Sequence, residues 1–256
     1  MFHFSKQVPI PLYVCVPRKA GTHLFWAVLE ALGMKCHSLL DADAVTRLEQ
    51  PIPKVSKHGG LPCAAFALAN VPPPRTYQAE CQTGQTKIIL CIRDPRAVFL
   101  STLDFLDNRH PLPSPNWHAV EFFRMALGNA FGTRDELAAA LLDPTWLPDN
   151  PYDVGSQFSR CRLLYHHPGV LKIRYENLVN AAAQGDDAPL KIICDYLGLP
   201  MPADGAQLLR KVVGSPTATK NKASADRWKL ELSGSVLHAF MERYGRLVEE
   251  FGYPVD

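Results

Sequence analysis

Arg93 and Ser101 place a cation and a hydroxyl two helical turns apart, a spacing that suits the binding of an anion. The segment before them, Lys87 to Ile92, is a lysine followed by five apolar residues. That pattern is typical of a short strand covered on both faces in a parallel sheet. Asp94-Pro95 should then end the strand and start a helix, because proline is tolerated at a first helical position. The segment predicts an anion-binding turn at residues 93–95, the Arg93 turn, although a capped strand-to-helix corner without a ligand has the same pattern.

A second segment has the order strand, basic turn, helix. The apolar run Leu12–Val16 is followed by PRKAGTH at residues 17–23, the cradle turn. Apolar residues with helical spacing then run from Leu24 to Leu32 and stop at Gly33. This order of elements is the one in which a helix N-terminus receives a phosphate group.

The residue types in the cradle turn suit a phosphate as well. Ala20 and Gly21 are small enough to let backbone N–H groups approach an anion, and Lys19 supplies a full positive charge. The nucleotide-triphosphatase motif reads G-x-x-x-x-G-K-[ST], with the lysine directly after a glycine. Here Lys19 precedes Gly21, and no glycine lies upstream. The cradle turn therefore predicts a phosphate site that differs from that of a triphosphatase.

Together these segments resemble the sulfotransferases that use 3′-phosphoadenosine-5′-phosphosulfate (PAPS) and release 3′,5′-bisphosphoadenosine (PAP). In that family the first turn reads approximately Pro-Lys-Ser-Gly-Thr, or Arg-Lys-Gly-Gly-Thr in the carbohydrate enzymes, and RKAGT lies between the two. The second motif reads Arg-x-Pro-x-x-x-x-x-Ser, which Arg93, Pro95 and Ser101 match position for position. The resemblance implies 3′-phosphate contacts from Arg93 and Ser101, and contacts to the 5′ side from Arg18, Lys19, Ala20, Gly21, Thr22 and His23.

Two later segments extend the resemblance from about residue 10 to the C-terminus. VLKIRYENL, at residues 170–178, is similar to a family strand followed by Tyr-Glu-Asp-Leu, which implies that Tyr175 lies near the adenine. NKASADRWK, at residues 221–229, is similar to Arg-Lys-Gly-x-x-Gly-Asp-Trp-Lys, a lid on the nucleotide. Aligned on Trp228, Lys222 is the one basic residue in register. The resemblance thus implies that Lys222 is a further contact to the nucleotide.

Sulfuryl transfer also needs a group that takes the proton of the acceptor. His58 follows the predicted strand Pro53–Lys57, at the sheet edge where ligands bind. The family strand ends Lys-Thr/Ser-His, whereas this one ends Ser56-Lys57-His58, so the histidine matches and the lysine is shifted by one position. The resemblance implies an in-line displacement in which Lys19 stabilises the leaving 5′-phosphate and His58 is the general base. A structural role for His58 remains the alternative.

The predicted strands alternate with helical stretches, which indicates an α/β fold with a central parallel sheet and helices on both faces. The predicted strands are Leu12–Val16, Pro53–Lys57, Lys87–Ile92 and Val170–Arg174. Both basic turns and Tyr175 directly follow such strands, where parallel sheets bind ligands. The regions 59–86 and 109–116 are expected to be irregular loops, and 181–189 a surface insertion before a helix at Leu190–Leu197. The resemblance implies a fold like that of the P-loop nucleotide hydrolases.

Composition predicts one soluble domain spanning residues 1–256, because a chain with 47% hydrophobic and 20% charged residues can bury one sizeable core and has no evident linker. Its seven cysteines form no C-x-x-C pair, which favours reduced thiols in a cytoplasmic protein. No metal is expected, since no histidine pair has ligand spacing. The sequence lacks an apolar run long enough for a membrane span and an aromatic-basic stripe for nucleic acid.

The expected partner is a small-molecule acceptor with a hydroxyl or amine group, because no long basic run suggests an anionic polymer. Two other classes of function stay open. A nucleotide or small-molecule kinase shares the order strand, cradle, helix, although its G-K-[ST] motif is absent. A protein that binds PAP or PAPS and has lost turnover would keep the same phosphate motifs.

Overall fold

The computed structural model describes residues 12–38, 63–68, 82–83, 87–107, 126–146, 150, 152–215 and 226–255, with only the backbone in 35–38 and 63–68. The strands are β1 (Leu12–Val16), β2 (Lys35–Ser38), β3 (Cys63–Leu68), β4 (Lys87–Ile92) and β5 (Val170–Arg174). The helices are α1 (Thr22–Ala31), α2 (Pro95–Leu106), α3 (Arg134–Leu142), α4 (Val154–His166), α5 (Tyr175–Gln184), α6 (Ala188–Leu197), α7 (Gly205–Gly214), α8 (Trp228–Glu231) and α9 (Gly234–Glu250).

Within these residues the strands form one five-stranded sheet in the order β2-β3-β1-β4-β5, and all neighbouring pairs are parallel. Every residue of β1 is buried, as are the last five residues of β4. Because successive side chains of a strand point to opposite faces, both faces of the sheet centre must be covered. The predicted α/β fold with a parallel sheet is therefore confirmed.

Three of the four predicted strands have the expected bounds, namely β1, β4 and β5. The predicted strand Pro53–Lys57 lies outside the described residues. The expectation that residues 59–86 are irregular throughout was wrong, since β3 lies within them and pairs with β1 and β2. Its sequence, CAAFAL, contains three alanines, which have low strand propensity, so pairing with two neighbours and not local preference explains this strand.

Helix α2 is almost entirely buried: only Ser101 and Asp104 of its twelve residues are partly exposed. Such a helix lies inside the protein, because a surface helix keeps one polar face. Its start agrees with the prediction, since Pro95 is the first helical residue and the Asp94 side chain accepts a hydrogen bond from the Arg96 backbone N–H. The helix therefore reaches the surface of the described structure at Ser101 and Asp104.

The predicted surface insertion at 181–189 was also wrong. Helix α5 continues to Gln184, with Ala181 and Ala182 buried, and ends at Gly185, whose φ of 73° is left-handed. A run of alanines extends a helix readily, so the amphipathic face of α5 continues through it. The following helix α6 includes the predicted Leu190–Leu197 and ends at Gly198. Among the described residues, no helix combines the length and the apolar character needed to cross a membrane.

Candidate functional site

The cradle turn and the Arg93 turn lie side by side. They follow β1 and β4, which are adjacent parallel strands, so both turns leave the same edge of the sheet. Arg93 Nη1 donates a hydrogen bond to the backbone carbonyl of Lys19, at 3.3 Å. Two motifs that are separated by 74 positions in the chain thus form one continuous surface.

The backbone of the cradle turn alternates in handedness. Lys19 has a φ of 66° and Gly21 a φ of 107°, while Ala20 between them does not have positive φ. Such alternation turns successive N–H groups toward a common centre and forms a concavity for an anion. Lys19 is the only non-glycine residue with positive φ in the described part of the chain. Strain of this kind costs on the order of 1–3 kcal/mol and persists only where neighbouring contacts hold it.

Two hydrogen bonds that involve Ala20 hold the cradle turn in this conformation. Ala20 is fully buried, and its N–H donates to the carbonyl of Pro17 at 3.0 Å. The Cys91 thiol on β4 donates to the carbonyl of Ala20 at 3.9 Å. The Ala20 N–H is therefore used within the turn. The first N–H groups of α1, from Thr22 onward, have no acceptor within the helix and can donate to an anion.

Tyr175 fills the space between the two turns. A Cβ atom on Gly21 would lie 2.5 Å from Tyr175 Cδ2, so the ring approaches the cradle turn more closely than any other residue type at position 21 would permit. The Arg93 guanidinium lies 4.4 Å from the centre of the same ring. Tyr175 therefore supports both turns; its predicted contact with the adenine stays a prediction.

Two cations of the cradle turn rest on an aromatic pair. Lys19 Nζ lies 4.3 Å from the ring centre of Phe105, and the Arg18 guanidinium lies 5.3 Å from that of Tyr152. The two rings are 5.6 Å apart. Phe105 follows Ser101 by one helical turn on α2, so Ser101 and the Lys19 ammonium face the same region. The pairing of Phe105 with Tyr152 was not predicted, although Phe105 lies four positions after Ser101, the spacing of one helical turn.

His23 is the second residue of α1, and its side chain is exposed. Protein atoms crowd around the imidazole all the same, and this desolvation, with the Lys19 ammonium second, lowers the pKa of His23. The imidazole is therefore neutral at neutral pH. A neutral ring next to Lys19 avoids like-charge repulsion and can still donate one hydrogen bond to an anion.

The Arg93 turn is held by buried ionic side chains. The Asp94 carboxylate accepts hydrogen bonds from Arg96 Nε at 3.0 Å and from Arg96 Nη2 at 2.8 Å. The Asp94 N–H donates to Glu176 Oε1 at 2.8 Å, and the Tyr253 hydroxyl donates to Glu176 Oε2 at 3.2 Å. Burial raises the pKa of Glu176, and the hydrogen bond from the Asp94 backbone N–H partly offsets this increase. The sequence pattern indicated Arg93 and the Asp94 cap but not Glu176 or Tyr253, because these two residues lie far from the Arg93 turn along the chain.

The segment 226–231 packs on the same helix. The Arg96 guanidinium lies 3.8 Å from the ring centre of Trp228. Arg227 Nη1 pairs with Asp104 Oδ2 at 3.1 Å, and Arg134 pairs with Asp104 Oδ1 at 2.6 Å. Segment 226–231 therefore contacts α2 at Arg96 and at Asp104, and Ser101 lies between these two positions.

Most of the predicted site residues directly follow the carboxyl ends of neighbouring strands, at one edge of the sheet. They are Arg18, Lys19, Ala20, Gly21, Thr22 and His23 after β1, Arg93 after β4 and Tyr175 after β5. Ser101 lies two turns into helix α2. His58 and Lys222 lie outside the described residues. Within the part of the chain that the structure describes, no group of three or more histidine, cysteine, aspartate or glutamate residues could hold a metal ion.

Comparisons with known proteins identify the fold through structure and not through sequence. No protein-family model matches the chain, and no curated protein matches it. A solved structure that does match is the crystal structure of mouse sulfotransferase SULT7A1 complexed with PAP, with a TM-score of 0.62 and 18% sequence identity. The match covers 94% of this chain and 89% of that one. The fold is that of a sulfotransferase. The expected P-loop-like architecture is thereby confirmed, although the sequences share fewer than one residue in five.

Proposed function

We propose that this protein transfers a sulfuryl group from PAPS to a hydroxyl or amine of a small-molecule acceptor and releases PAP. The observation that carries the proposal is the hydrogen bond from Arg93 to the Lys19 carbonyl, which joins two phosphate-binding motifs in a single site. The sulfotransferase fold supports it, because the matching mouse enzyme was solved with PAP.

The cradle turn would hold the 5′ side of the nucleotide. Lys19 and the N–H groups at the start of α1 meet the 5′-phosphosulfate, with Arg18 and Thr22 beside them. Bound PAPS supplies the sulfuryl group, and its S–O bond to the 5′-phosphate breaks as the acceptor oxygen or nitrogen bonds to sulfur. Negative charge then grows on the phosphate oxygens. The Lys19 ammonium stabilises that charge more in the transition state than in the ground state.

The Arg93 turn would hold the 3′-phosphate. The Arg93 guanidinium and the Ser101 hydroxyl supply donors, and Lys222 is proposed as a third contact. The 3′-phosphate distinguishes PAPS from ordinary adenine nucleotides. These residues therefore determine which nucleotide binds, whereas Lys19 contributes to the rate.

His58 is proposed as the base that takes the proton from the acceptor. Replacement of His58 by alanine should lower turnover by on the order of 10²–10⁴-fold, the usual contribution of general base catalysis. Nucleotide affinity should remain nearly unchanged, because His58 would contact the acceptor and not the nucleotide. Steady-state kinetics with isothermal titration calorimetry of PAP separates the two effects. Loss of PAP binding in this variant would assign His58 a structural role.

A comparison of ligands tests the proposed function itself. PAP at about 100 times its Kd should stabilise the protein by about 2.7 kcal/mol, which raises the Tm of a chain of this size by about 5–10 °C. ATP with Mg²⁺ should raise it much less. Incubation with ³⁵S-labelled PAPS and a panel of phenols, alcohols and amines should then give a labelled product. A larger shift with ATP and Mg²⁺ would favour a kinase, and a PAP shift without product from any acceptor would favour a binding protein.

A further inference from the structure

Arg96 is a charged residue buried inside the protein, with 2% of its surface exposed. Its Nε and Nη2 atoms donate hydrogen bonds to the Asp94 carboxylate, and its guanidinium lies 3.8 Å from the centre of the Trp228 ring. Trp228 is itself 5% exposed. A buried arginine is costly unless its charge is paired, and an apolar residue of similar volume would often pack as well. The position therefore calls for an explanation beyond packing.

The carboxylate that Arg96 holds is the cap of helix α2. Asp94 also accepts a hydrogen bond from the Arg96 backbone N–H, at 2.9 Å, and its own N–H is held by Glu176. Arg93 is the residue directly before this cap. A shift of Asp94 would therefore move the backbone from which the Arg93 side chain extends.

The segment that contributes Trp228 contacts α2 a second time. Arg227 pairs with Asp104 and also with Glu231, one turn further along α8. Arg96 and Asp104 precede and follow Ser101 on α2. Residues 227–231 are therefore fixed to α2 on both sides of the hydroxyl that is proposed to bind the 3′-phosphate.

We propose that Arg96 and Trp228 are positioning residues for the 3′-phosphate site. Packing of residues 227–231 on α2 holds Arg96 against Asp94, and Asp94 in turn sets the position of Arg93. Selectivity for a nucleotide with a 3′-phosphate then depends on the contact between Arg96 and Trp228, although neither side chain contacts the phosphate. The inference rests on the proposed function and extends it to residues of the protein interior.

The test uses variants that separate charge from volume. Arg96→Met keeps the length of the side chain and removes the guanidinium, and Trp228→Leu keeps an apolar residue and removes the aromatic ring. Arg96→Lys and Trp228→Phe are the conservative partners, because lysine retains the charge without the planar fork and phenylalanine retains a ring. Arg246→Met is the matched control, since Arg246 is exposed on α9.

Isothermal titration calorimetry gives the Kd of PAP and of adenosine 5′-monophosphate (AMP) for each full-length variant, well below its Tm. The ratio of the two values measures selectivity for the 3′-phosphate. We expect this ratio to fall about tenfold in Arg96→Met and in Trp228→Leu, within the usual range of coupling between sites. AMP affinity should change less than about twofold in both, Arg96→Lys and Trp228→Phe should recover part of the ratio, and Arg246→Met should match the wild type.

A purely structural role makes a different prediction. If Arg96→Met lowers the Tm but leaves the PAP-to-AMP ratio at the wild-type value, the inference is wrong and the proposed function stands. If Arg96→Met or Trp228→Leu does not fold, the ratio in Arg96→Lys and Trp228→Phe decides in the same way. A wild-type protein that binds PAP and AMP equally would overturn the proposed 3′-phosphate site and this inference with it.

Discussion

The two turns of the site are built by different means. The cradle turn has its shape from the backbone, with left-handed residues at Lys19 and Gly21. The Arg93 turn has its shape from side chains, with Asp94 joined to Arg96 and to Glu176. A backbone concavity can bind a phosphate through N–H groups, whereas a buried ionic network can hold a single guanidinium in one orientation.

The two turns also differ in how far their charged side chains are buried. Arg18 and Lys19 are partly exposed, whereas Arg93 is 7% exposed and Asp94 6%. The Arg18 and Lys19 side chains can therefore be changed with little effect on folding. Changes in the Arg93 turn must affect stability as well as binding, because they leave buried charges without partners.

Removal of the Lys19 ammonium should have the largest effect. We expect Lys19→Ala to lower turnover with PAPS by on the order of 10²–10³-fold, as the loss of one preorganised group at a developing charge does. PAP affinity should fall too, since Lys19 is proposed to contact the nucleotide both before and during the reaction. Urea unfolding should change little for a partly exposed lysine. Unchanged turnover in Lys19→Ala would refute the role of the cradle turn in catalysis.

Replacement of Arg93 tests the other turn. Arg93→Ala should weaken PAP binding by about 1.5–3 kcal/mol, the contribution of a charge-assisted hydrogen bond, and weaken AMP binding much less. Ser101→Ala should act in the same direction by a smaller amount. Calorimetric titrations of both nucleotides measure the difference. Equal losses for PAP and AMP would contradict the assignment of the 3′-phosphate to this turn.

Two glycines separate the effect of backbone strain from that of close packing. Gly21→Ala and Gly33→Ala both place a side chain at a left-handed residue, at an expected cost of about 1–2 kcal/mol each. Gly33 has nothing within 4 Å of its added Cβ, whereas Gly21 would clash with Tyr175. Gly21→Ala should therefore cost about 1–3 kcal/mol more in urea unfolding. Only Gly21→Ala should impair PAP binding. Equal losses of unfolding free energy in the two variants would show that Tyr175 moves aside.

The smallest expected effects are opposite changes of stability with pH. The pKa of Glu176 is raised above 4.5, so the folded state binds more protons just above pH 4.5 and stability falls as pH rises there. The pKa of His23 is lowered below 6.5, so the unfolded state binds more protons just below pH 6.5 and stability rises with pH. Urea unfolding from pH 4 to 8 should show that Glu176→Gln and His23→Gln change the slope in opposite senses. If both variants changed the pH slope of stability in the same direction, the pKa direction given for Glu176 or for His23 would be wrong.

The sequence was most informative where local pattern and tertiary burial agree. Strands β1 and β4 were predicted with their bounds because they are apolar runs in the centre of the sheet. The start of α2 was predicted because Asp94 and Pro95 are local signals for a helix N-terminus. Strand β3 was missed, since its alanines form a strand only through pairing with neighbours.

The supporting residues of the site could not be read from local pattern. Glu176 contacts Asp94 across 82 positions, and the Trp228 ring contacts an arginine on another element. Such contacts depend on how the elements pack, and the sequence pattern of α2 alone predicts only that it is buried. The residues proposed to bind phosphate were recognisable because most of them directly follow strands, whereas the residues proposed to orient them come from other elements that the fold brings into contact.

The position of β1 between β3 and β4 also determines how the site can be lost. Backbone amides in the middle of a sheet, such as those of Val14 and Leu90, exchange with deuterium mainly when the whole domain opens. The cradle turn and the Arg93 turn are continuous with those strands. Local fraying at the edge strand β2 therefore leaves the two turns in place, whereas global unfolding of the sheet disrupts both of them together.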